Sequence, residues 1–328
     1  MTHTIRIGIC GYGNLGKGVE RSIQQQADMT LTAIFSRRGN VGIEPLDPAT
    51  KVEHIDRVVD YLDKIDVMIL CGGSATDLPE QTPMLAAYFN TIDSFDTHAK
   101  IPEHFAAVDA VAKHSQNISI ISVGWDPGLF SMNRVLAEAV LPAGETYTFW
   151  GKGLSQGHSD ALRRIDGVKN AVQYTIPSED AMNRVRQGEQ PKLSTGDKHT
   201  RECYVVLEEG ADAADIEQQI KIMPDYFADY QTAVNFISAE TLQAEHQGMQ
   251  HGGVVLRSGR TGENTPQAIE FNLNLGSNPE FTGSVLVAYA RAAHRMKAKG
   301  QSGAKTVFDV TLGDISAKTP EMLRQDFL

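Results

Sequence analysis

Asp96 and Asp126 each follow a short apolar run, Thr91–Phe95 for the first and Ile118–Val123 for the second. If those runs are parallel strands, both carboxylates lie at the carboxyl edge of a sheet, where open α/β sheets bind ligands. Carboxylates there suit a substrate ammonium group or proton transfer to an amine, whereas a hydroxy-acid dehydrogenase would more naturally use a histidine. Plainer roles stay open, a helix cap for Asp96 and a turn before proline for Asp126.

The segment Gly11–Gly16 has the pattern G-x-G-x-x-G, which favours a dinucleotide site where it joins a strand to a helix. It follows the apolar run Ile5–Cys10 and leads into the helical pattern Leu15–Gln26. The first glycine permits a tight turn, the second lets a pyrophosphate approach the backbone, and the third allows close helix–strand packing. The N–H groups and positive dipole end of the helix would then bind the anion.

The end of the second apolar run, Ser36-Arg37-Arg38, indicates which dinucleotide binds. An NAD site expects Asp or Glu about 20 residues beyond the fingerprint, to hold the ribose 2′-hydroxyl. Counting from Gly16 reaches Ser36 instead. A hydroxyl and two guanidiniums can bind a 2′-phosphate through charge-assisted hydrogen bonds. The pattern therefore predicts NADP, with a solvated turn as the alternative for the arginines.

Small residues follow the third apolar run, at Cys71–Thr76. They would let a cofactor pass close to the backbone at the same sheet edge, although a plain strand-to-helix turn has a similar composition. One edge of the sheet would thus carry the glycine turn, these small residues and both carboxylates.

These residues need a sheet to position them, and the first 125 residues supply the pattern for one. Short β-branched runs alternate with helical stretches, which predicts βαβ units, so we expect an α/β fold with a Rossmann-like doubly wound parallel sheet. From about residue 145 to 275 the pattern indicates a second, α+β domain with antiparallel pairing, and a long helix follows at Thr282–Lys299. We place the dinucleotide-binding domain at 1–125, completed by about 276–328, and the second domain at 126–275. The predicted strands are Ile5–Cys10, Leu31–Phe35, Val67–Cys71, Thr91–Phe95, Ile118–Val123, Thr146–Trp150, Arg201–Leu207, Ala233–Ile237, Val254–Ser258 and Ala268–Leu275, and Gly188–Asp197 is predicted as a surface loop.

Composition excludes several classes of protein. The net charge is −11 and there is no basic block, which argues against a nucleic-acid groove and against an anionic membrane surface. No window approaches the roughly 18 uninterrupted apolar residues of a membrane span, and the N-terminus has no signal-peptide pattern. The histidines include no H-x-H or H-E-x-x-H and the 3 cysteines are widely spaced. We therefore expect no metal site, no disulfide framework and a cytoplasmic location.

Several segments carry a family resemblance, the longest being GLSQGHSDALRR at Gly153–Arg164. The others are Gly11–Gly16, Phe35–Arg38, Gly124–Gly128, Phe149–Gly151 and Met223–Phe227. Because of these segments, the chain resembles the meso-diaminopimelate D-dehydrogenase family, and the similarity extends over nearly its whole length. The sequence departs from the family pattern after Arg38 and at Leu207–Ala211, outside the residues implied in the site.

The resemblance implies an activity. It is the NADP-dependent, reversible oxidative deamination of the D-centre of meso-2,6-diaminopimelate, in lysine and cell-wall precursor biosynthesis. The products are ammonia and L-2-amino-6-oxopimelate, which cyclises to tetrahydrodipicolinate. The resemblance also implies a homodimer formed by the second domain, which would bind the substrate.

Roles for individual residues follow from the same resemblance. The implied substrate-binding residues are Asp96 and Asp126 for the D-centre ammonium, Trp150 for the pocket wall, Gln156 and Gly157 for the proximal carboxylate, Thr175, Arg201 and His251 for the distal carboxylate, and Asn278 for the distal amino group. The expected cofactor-binding residues are Gly11, Tyr12, Gly13, Asn14, Leu15, Ser36, Arg37, Arg38, Cys71, Gly72, Gly73, Ser74, Val123, Gly124, Trp125, Asp126 and Pro127. Either Asp96 or Asp126 would act as the catalytic base, and the choice between them stays open.

Other functions stay open at this point. Gly153–Gly157 also has the G-x-S-x-G pattern of a hydrolase elbow and His251–Gly253 resembles an oxyanion-hole segment, but we expect Gly151–Gly153 to interrupt the strand that an elbow needs. A non-catalytic NADPH-binding regulator would have no use for a pocket with acids and an arginine. The nearest rival is an NADP-dependent D-amino-acid dehydrogenase of broader specificity.

Overall fold

The structure, a computed structural model, describes residues 4–328 except for the side chain of Gln156. Its strands are β1 (Ile5–Cys10), β2 (Met29–Ser36), β3 (Lys51–His54), β4 (Val67–Leu70), β5 (Asn90–Asp93), β6 (Ile118–Ile120), β7 (Gly144–Trp150), β8 (Gly153–Leu154), β9 (Val168–Pro177), β10 (His199–Leu207), β11 (Gln231–Phe236), β12 (His251–Gly262), β13 (Thr265–Leu275) and β14 (Gly303–Lys305). Its α-helices are α1 (Asn14–Gln24), α2 (Leu78–Ala86), α3 (Ile101–His114), α4 (Leu129–Val140), α5 (Gln156–Arg163), α6 (Glu179–Arg186), α7 (Thr195–Lys198), α8 (Ala213–Ile222), α9 (Ala239–Glu245), α10 (Asn278–Ala298), α11 (Leu312–Ile315) and α12 (Pro320–Phe327). None of the helices in this described part of the chain is long and apolar enough to cross a membrane. The chain divides into two units, the first made of Met1–Met132 and Pro279–Leu328 and the second of Asn133–Asn278.

The described strands of the first unit form a seven-stranded sheet in the order β14-β6-β5-β4-β1-β2-β3. Every neighbouring pair in it is parallel. The strand order reverses between β1 and β4, so the carboxyl ends of these two strands form the crevice where doubly wound sheets bind ligands. The predicted Rossmann-like architecture is confirmed.

Both faces of this sheet are buried, which explains why its strands are nearly continuous apolar runs. On one face Ile7 and Ile9 of β1 share a core with Leu286 and Tyr289 of α10. On the other face the side chains of β4 pack with those of α2. Each of these fully buried large apolar side chains contributes roughly 1.5–3 kcal/mol of transfer free energy. Helix α10 therefore returns the chain to the core of the first unit.

The described strands of the second unit form a four-stranded sheet, β11-β10-β9-β8, and a three-stranded sheet, β13-β12-β7. Most neighbouring pairs are antiparallel, as expected. The expectation is wrong for β10 and β11, which run parallel. Helix α8 lies between them in the chain, and a crossover of that kind returns the next strand in the same direction.

Strands β3, β8, β9 and β14 were not predicted from the sequence. Two of them, β3 and β14, lie at the edges of the seven-stranded sheet, where short and partly polar strands are common. The predicted loop Gly188–Asp197 includes the start of α7, which a capping box between Ser194 and Asp197 stabilises. Apart from the ten-residue strand β9, these elements are too short to show hydrophobic periodicity, so tertiary pairing decides them.

Candidate active site

The turn between β1 and α1 has the geometry of a phosphate-binding loop. Gly11 has φ +92°, and a Cβ on Gly16 would lie 2.4 Å from the carbonyl oxygen of Gly11, so both positions require glycine. A Cβ on Gly13 would meet nothing within 4 Å, which leaves that side of the turn open. Gly13 is also the N-cap of α1 and brings no side chain to cap it, so the helix N-terminus can face an anion.

A cavity of about 280 Å³ lies beside this turn. The residues that line it are Cys10, Gly11, Tyr12, Gly13, Phe35, Ser36, Arg37, Arg38, Ile55, Cys71, Gly72, Gly73, Asp77 and Gln81. The structure thus brings together the glycine turn, the end of β2 and the loop after β4. The other expected cofactor residues, Asn14, Leu15, Ser74 and Val123–Pro127, are not among the lining residues.

Asp77 is a cavity residue that the sequence analysis missed. Its carboxylate accepts the N–H of Gly73 at 2.8 Å and forms an ion pair with Arg37 at 3.0 Å. Asp77 is the N-cap residue of α2, but its side chain does not cap that helix. The position before α2 was the only signal in the sequence, and it pointed to capping. Because the Arg37 side chain is 71% exposed, this ion pair contributes at most about 1 kcal/mol.

Asp96 follows β5 and is exposed. Its backbone N–H donates to the hydroxyl of Ser74 at 2.8 Å, which joins it to the loop after β4. Asp96 does not cap α3, whose N-cap is Lys100, so the capping alternative is wrong. Its carboxylate is therefore not used by the helix that follows it.

Asp126 is half-buried in a turn that a bridge between Trp125 and Gly128 closes. The indole of Trp125 packs edge-to-face on the ring of Phe130, with centroids 5.3 Å apart. Gly128 has φ +129°, and a Cβ there would lie 1.9 Å from the carbonyl oxygen of Gly124. Only glycine closes this turn, and a rigid turn fixes the backbone from which the Asp126 side chain extends.

Arg201 of the second unit has a buried guanidinium whose positive charge is paired with no described carboxylate. It pairs with Thr175 across β9 and β10, and its Nη1 donates to the Thr175 hydroxyl oxygen. The ring of Tyr230 lies 3.9 Å from the guanidinium carbon. The Arg201 side chain makes no ion pair with any described carboxylate, and its buried Nε has no hydrogen-bond partner. Burial lowers the pKa of Arg201 below its usual value.

Strand β8 connects this arginine to His251. Gly153 of β8 pairs with Thr175, and a Cβ on Gly153 would lie 2.5 Å from the ring of His251. Just before β8, the N–H of Gly151 donates to the carbonyl oxygen of Gly252 at 2.9 Å. The backbone N–H of Asn278 donates to the Met249 carbonyl oxygen at 2.9 Å, two residues before His251. The structure therefore assembles Thr175, Arg201 and His251 around β8.

Trp150, at the end of β7, is held by a histidine that the sequence did not single out. The backbone N–H of Trp150 donates to Nε2 of His199 at 2.8 Å. The two rings are stacked, with centroids 5.2 Å apart. Burial, together with the nearby positive charge of Arg201, lowers the pKa of His199 to about 3. His199 is therefore a neutral acceptor at pH 7, which is the form that this bond requires.

Helix α5 begins at Gln156 and has Ser155 as its N-cap. Ser155 makes no side-chain capping bond, and a Cβ on Gly157 would meet nothing within 4 Å. The N–H groups of the first turn thus lack a capping side chain and can face a carboxylate. The side chain of Gln156 lies outside the described residues, so its role stays a prediction.

Ser155 also bonds His158, with Oγ and Nδ1 2.7 Å apart. As expected, the strand is interrupted: β7 ends at Trp150, Gly151 and Lys152 lie outside any strand, and Gly153 begins the separate two-residue strand β8 that leads to Ser155. In addition, no described carboxylate contacts His158, which lacks the orienting acid of a hydrolase triad. Burial, with a smaller contribution from Arg201, lowers the pKa of His158 to about 4. Across residues 4–328, no group of His, Cys, Asp or Glu is arranged to hold a metal ion.

Known proteins resemble this chain over its whole length. Residues 124–277 match the family model of the diaminopimelic acid dehydrogenase C-terminal domain. The meso-diaminopimelate D-dehydrogenase of Ureibacillus thermosphaericus is 63% identical over 331 residues, which cover 99% of this chain and 99% of that protein. A solved structure of the C. glutamicum DAP dehydrogenase in complex with DAP is 48% identical, has a TM-score of 0.92 and covers 100% of both chains. An engineered D-amino acid dehydrogenase bound to NADP⁺ is 46% identical, with a TM-score of 0.87, and covers 99% of this chain and 100% of its own.

Proposed function

The chain belongs to the family of meso-diaminopimelate D-dehydrogenases, and we propose that it oxidises the D-centre of meso-2,6-diaminopimelate with NADP⁺. It is an oxidoreductase of the amino-acid dehydrogenase class, so the hydrolase and the non-catalytic regulator are excluded. In the proposed reaction the substrate, NADP⁺ and water give L-2-amino-6-oxopimelate, ammonium, NADPH and a proton. The keto acid then cyclises to tetrahydrodipicolinate, and the reaction is reversible.

The buried guanidinium of Arg201 carries this proposal. A buried charge without a counterion costs several kcal/mol, so a protein retains one where a ligand supplies the opposite charge. The free Nε and the neighbouring hydroxyl of Thr175 can both donate to a carboxylate. A simple D-amino acid has one carboxylate, at the reacting end. Diaminopimelate has a second one, which Arg201, Thr175 and His251 bind in this proposal.

The remaining substrate groups are assigned as the family resemblance implies, and the chemistry of the side chains supports the assignment. Asp96 and Asp126 bind the ammonium of the D-centre, since carboxylates are the natural partners of an ammonium group. The start of α5 at Gln156 and Gly157 binds the carboxylate next to it. The indole of Trp150 forms the wall of the pocket. In this proposal Asn278 binds the distal amino group.

NADP, rather than NAD, is the proposed cofactor. The cavity at β1, β2 and β4 suits a dinucleotide because its open glycine turn admits a pyrophosphate beside the N-terminus of α1. Ser36, Arg37 and Arg38 line the same cavity and would hold the 2′-phosphate. When bound, the nicotinamide ring accepts the hydride.

The side chains of the protein mainly position the substrate in this mechanism. Asp96 and Asp126 hold the ammonium so that the D-carbon hydrogen faces the hydride acceptor. Water then adds to the oxidised carbon, and one of these two carboxylates removes its proton. No covalent nucleophile is required, which fits a Ser155–His158 pair without an orienting acid.

We further propose that the chain forms a homodimer through the Asn133–Asn278 unit and acts in the cytoplasm. Val135, Leu136 and Val140 on α4 are 51%, 61% and 60% exposed, and such an apolar strip supports an interface. The free cysteines support a reducing compartment. Sedimentation of the wild type and of Leu136→Asp tests the dimer, which the charge should weaken.

Absorbance at 340 nm tests the reaction, with NADP⁺ and a panel of meso- and L,L-diaminopimelate, D-alanine and D-norleucine. We expect reduction only with substrates that present a D-centre, a large preference for the meso isomer, and one ammonia per NADPH. The L,L isomer should bind without turnover. Equal efficiency on D-norleucine and the meso isomer would instead indicate a D-amino-acid dehydrogenase of broader specificity.

A further inference from the structure

We propose that Asp93, held by His104, is the positioning residue that fixes both Asp96 and Asp126. The inference rests on the proposed function, which assigns the reacting ammonium to these two carboxylates. Asp93 is the last residue of β5 and is fully buried, so it cannot touch the substrate itself. It acts through the two segments that it binds.

One oxygen of Asp93 bridges those segments. Its Oδ1 accepts the backbone N–H of Phe95 at 3.0 Å and that of Ser122 at 2.8 Å. Phe95 directly precedes Asp96, while Ser122 follows β6 on the segment that leads to Asp126. A displacement of this single atom would therefore move the backbones of both carboxylates.

The other oxygen is held from behind. The Thr82 hydroxyl of α2 donates to Oδ2 at 2.9 Å, and Nε2 of His104 on α3 lies 2.8 Å from the same atom. The ring of His104 also stacks on that of Phe95, with centroids 4.1 Å apart. With four partners the carboxylate has one orientation, and its hydrogen bonds are shielded from water.

The backbone at Ser122 makes this support necessary. Ser122 has φ +56°, in the left-handed region that non-glycine residues rarely adopt. Its N–H bonds the Asp93 carboxylate, and the next residue, Val123, donates its N–H to the Asp93 carbonyl oxygen at 2.9 Å. Without the carboxylate, the segment from Ser122 to Asp126 can relax to a commoner conformation.

The chain offers a matched control two residues earlier on the same strand. The hydroxyl of Thr91 donates to that of Ser119 at 2.8 Å, which also joins β5 to β6 through fully buried side chains. This bond touches neither the segment of Asp96 nor that of Asp126. Thr91→Val therefore measures what a lost buried bond between these strands does by itself.

The kinetic test compares Asp93→Ala, Asp93→Asn and Thr91→Val. We expect Asp93→Ala to lower kcat for meso-diaminopimelate at least about 30-fold, with KM for NADP⁺ within about threefold of the wild type. Asparagine can accept both N–H groups through its amide oxygen, so Asp93→Asn should restore kcat to within about fivefold. Thr91→Val should change kcat by less than about twofold despite a lower melting temperature. A kcat for Asp93→Ala as high as that for Thr91→Val, or one for Asp93→Asn as low as that for Asp93→Ala, overturns the proposal.

Hydrogen–deuterium exchange separates this inference from the proposed function. Amides of residues 94–97 and 122–126 should exchange at least about tenfold faster in Asp93→Ala than in the wild type. In Thr91→Val the exchange rates of the same amides should equal those of the wild type. If the wild type fails to oxidise the meso isomer but exchange changes in this way, the proposed function fails and the positioning role stands. Unchanged exchange overturns the positioning role whatever the substrate.

A milder variant covers the case in which Asp93→Ala does not fold. His104→Ala keeps the bridging oxygen Oδ1 but removes one of the two contacts that hold the other oxygen, Oδ2. We expect kcat to fall about threefold to tenfold, with faster exchange in the same two segments. If neither kcat nor exchange changes in His104→Ala, the proposal is wrong.

Discussion

Arg37 in the first unit and Arg201 in the second are both assigned to anionic groups, yet their surroundings are opposite. The Arg37 side chain is 71% exposed and already pairs with Asp77. Arg201 is 6% exposed, lies against Tyr230 and makes no ion pair with a described carboxylate. When its ligand binds, Arg37 exchanges one solvent-screened anionic partner for another, whereas Arg201 gains its first anionic partner.

This difference indicates where the selectivity for each ligand arises. A screened ion pair contributes about 0–1 kcal/mol, so several groups must act together to select a 2′-phosphate. A buried charge is unfavourable until its counterion arrives, so a single contact can distinguish substrates by several kcal/mol. Substrate selection should therefore depend on one residue, and cofactor selection on a group of residues.

The largest effect is expected for Arg201→Met. The variant should lose about 2–4 kcal/mol in kcat/KM for meso-diaminopimelate, roughly 30- to 1000-fold, because remote binding energy orients the reacting carbon. The loss on D-norleucine or D-alanine should be much smaller, since these have no distal carboxylate. Steady-state kinetics on both substrates check this. Equal proportional losses would show that Arg201 does not read the distal end.

Replacing a second buried arginine of the same unit, Arg257, should lower the melting temperature, whereas replacing Arg201 should not. Arg257 is 4% exposed but fully used, since it donates to the carbonyl oxygens of Leu141 and Pro142 and to the hydroxyl of Thr146. Arg257→Met should lose about 2 kcal/mol and roughly 4–8 °C in melting temperature, because buried acceptors are left unpaired. Arg201→Met should keep or raise the melting temperature. A drop as large as that of Arg257→Met would mean that Arg201 is compensated within the protein.

The paired variant Arg37→Ala with Arg38→Ala tests the exposed site. It should lower kcat/KM for NADP⁺ at least about tenfold, with little change for NAD⁺, because two charge-assisted partners of the 2′-phosphate are lost. Each single variant should lose less than the pair. If the ratio of the two cofactors stays unchanged, the phosphate is read elsewhere.

Asp77→Asn should have a smaller effect of the opposite sign. The amide can still accept the N–H of Gly73, but the negative charge beside Arg37 is removed. KM for NADP⁺ should therefore fall, by less than about fivefold because the pair is exposed to solvent. The matched measurement with NAD⁺ should show no change. A rise in KM for NADP⁺ would mean that Asp77 orients Arg37 for the phosphate.

The smallest expected effect is on His158. Its pKa of about 4 lies below the ordinary value near 6.5, so the unfolded chain takes up a proton first as the pH falls. The free energy of unfolding is therefore unaffected by protonation of His158 above pH 6.5, and it decreases as the pH falls from 6.5 towards 4. Because Arg201 is the second cause of the shift after burial, Arg201→Met should raise this pKa without restoring it to 6.5. NMR titration of the His158 ring checks this, and an unchanged midpoint would rule out the coupling.

The sequence predicted those parts of the site that depend on neighbours in the chain. The glycine turn between β1 and α1 and the acids after β5 and β6 follow from local pattern and from the rule for parallel sheets. The role of Asp77 was not predicted because its carboxylate meets Arg37 only when β4 and β2 lie in one sheet. The pairing of Thr175 with Arg201 came from family resemblance alone, since β9 was not predicted. The parallel β10–β11 pair shows the same limit, because strand direction depends on the connecting crossover.

The two units also differ in how the chain supplies them during synthesis. The unit of Asn133–Asn278 is one continuous stretch, so all of its residues are synthesised before the segment Pro279–Leu328 of the other unit. The other unit needs segments from both sides of that stretch, since α10 supplies Leu286 and Tyr289 to the core of β1 and the edge strand β14 pairs with β6. Domains generally fold as units once their residues are available. This unit therefore completes its native core only after α10 has been synthesised, although its strand β1 precedes the Asn133–Asn278 unit in the chain.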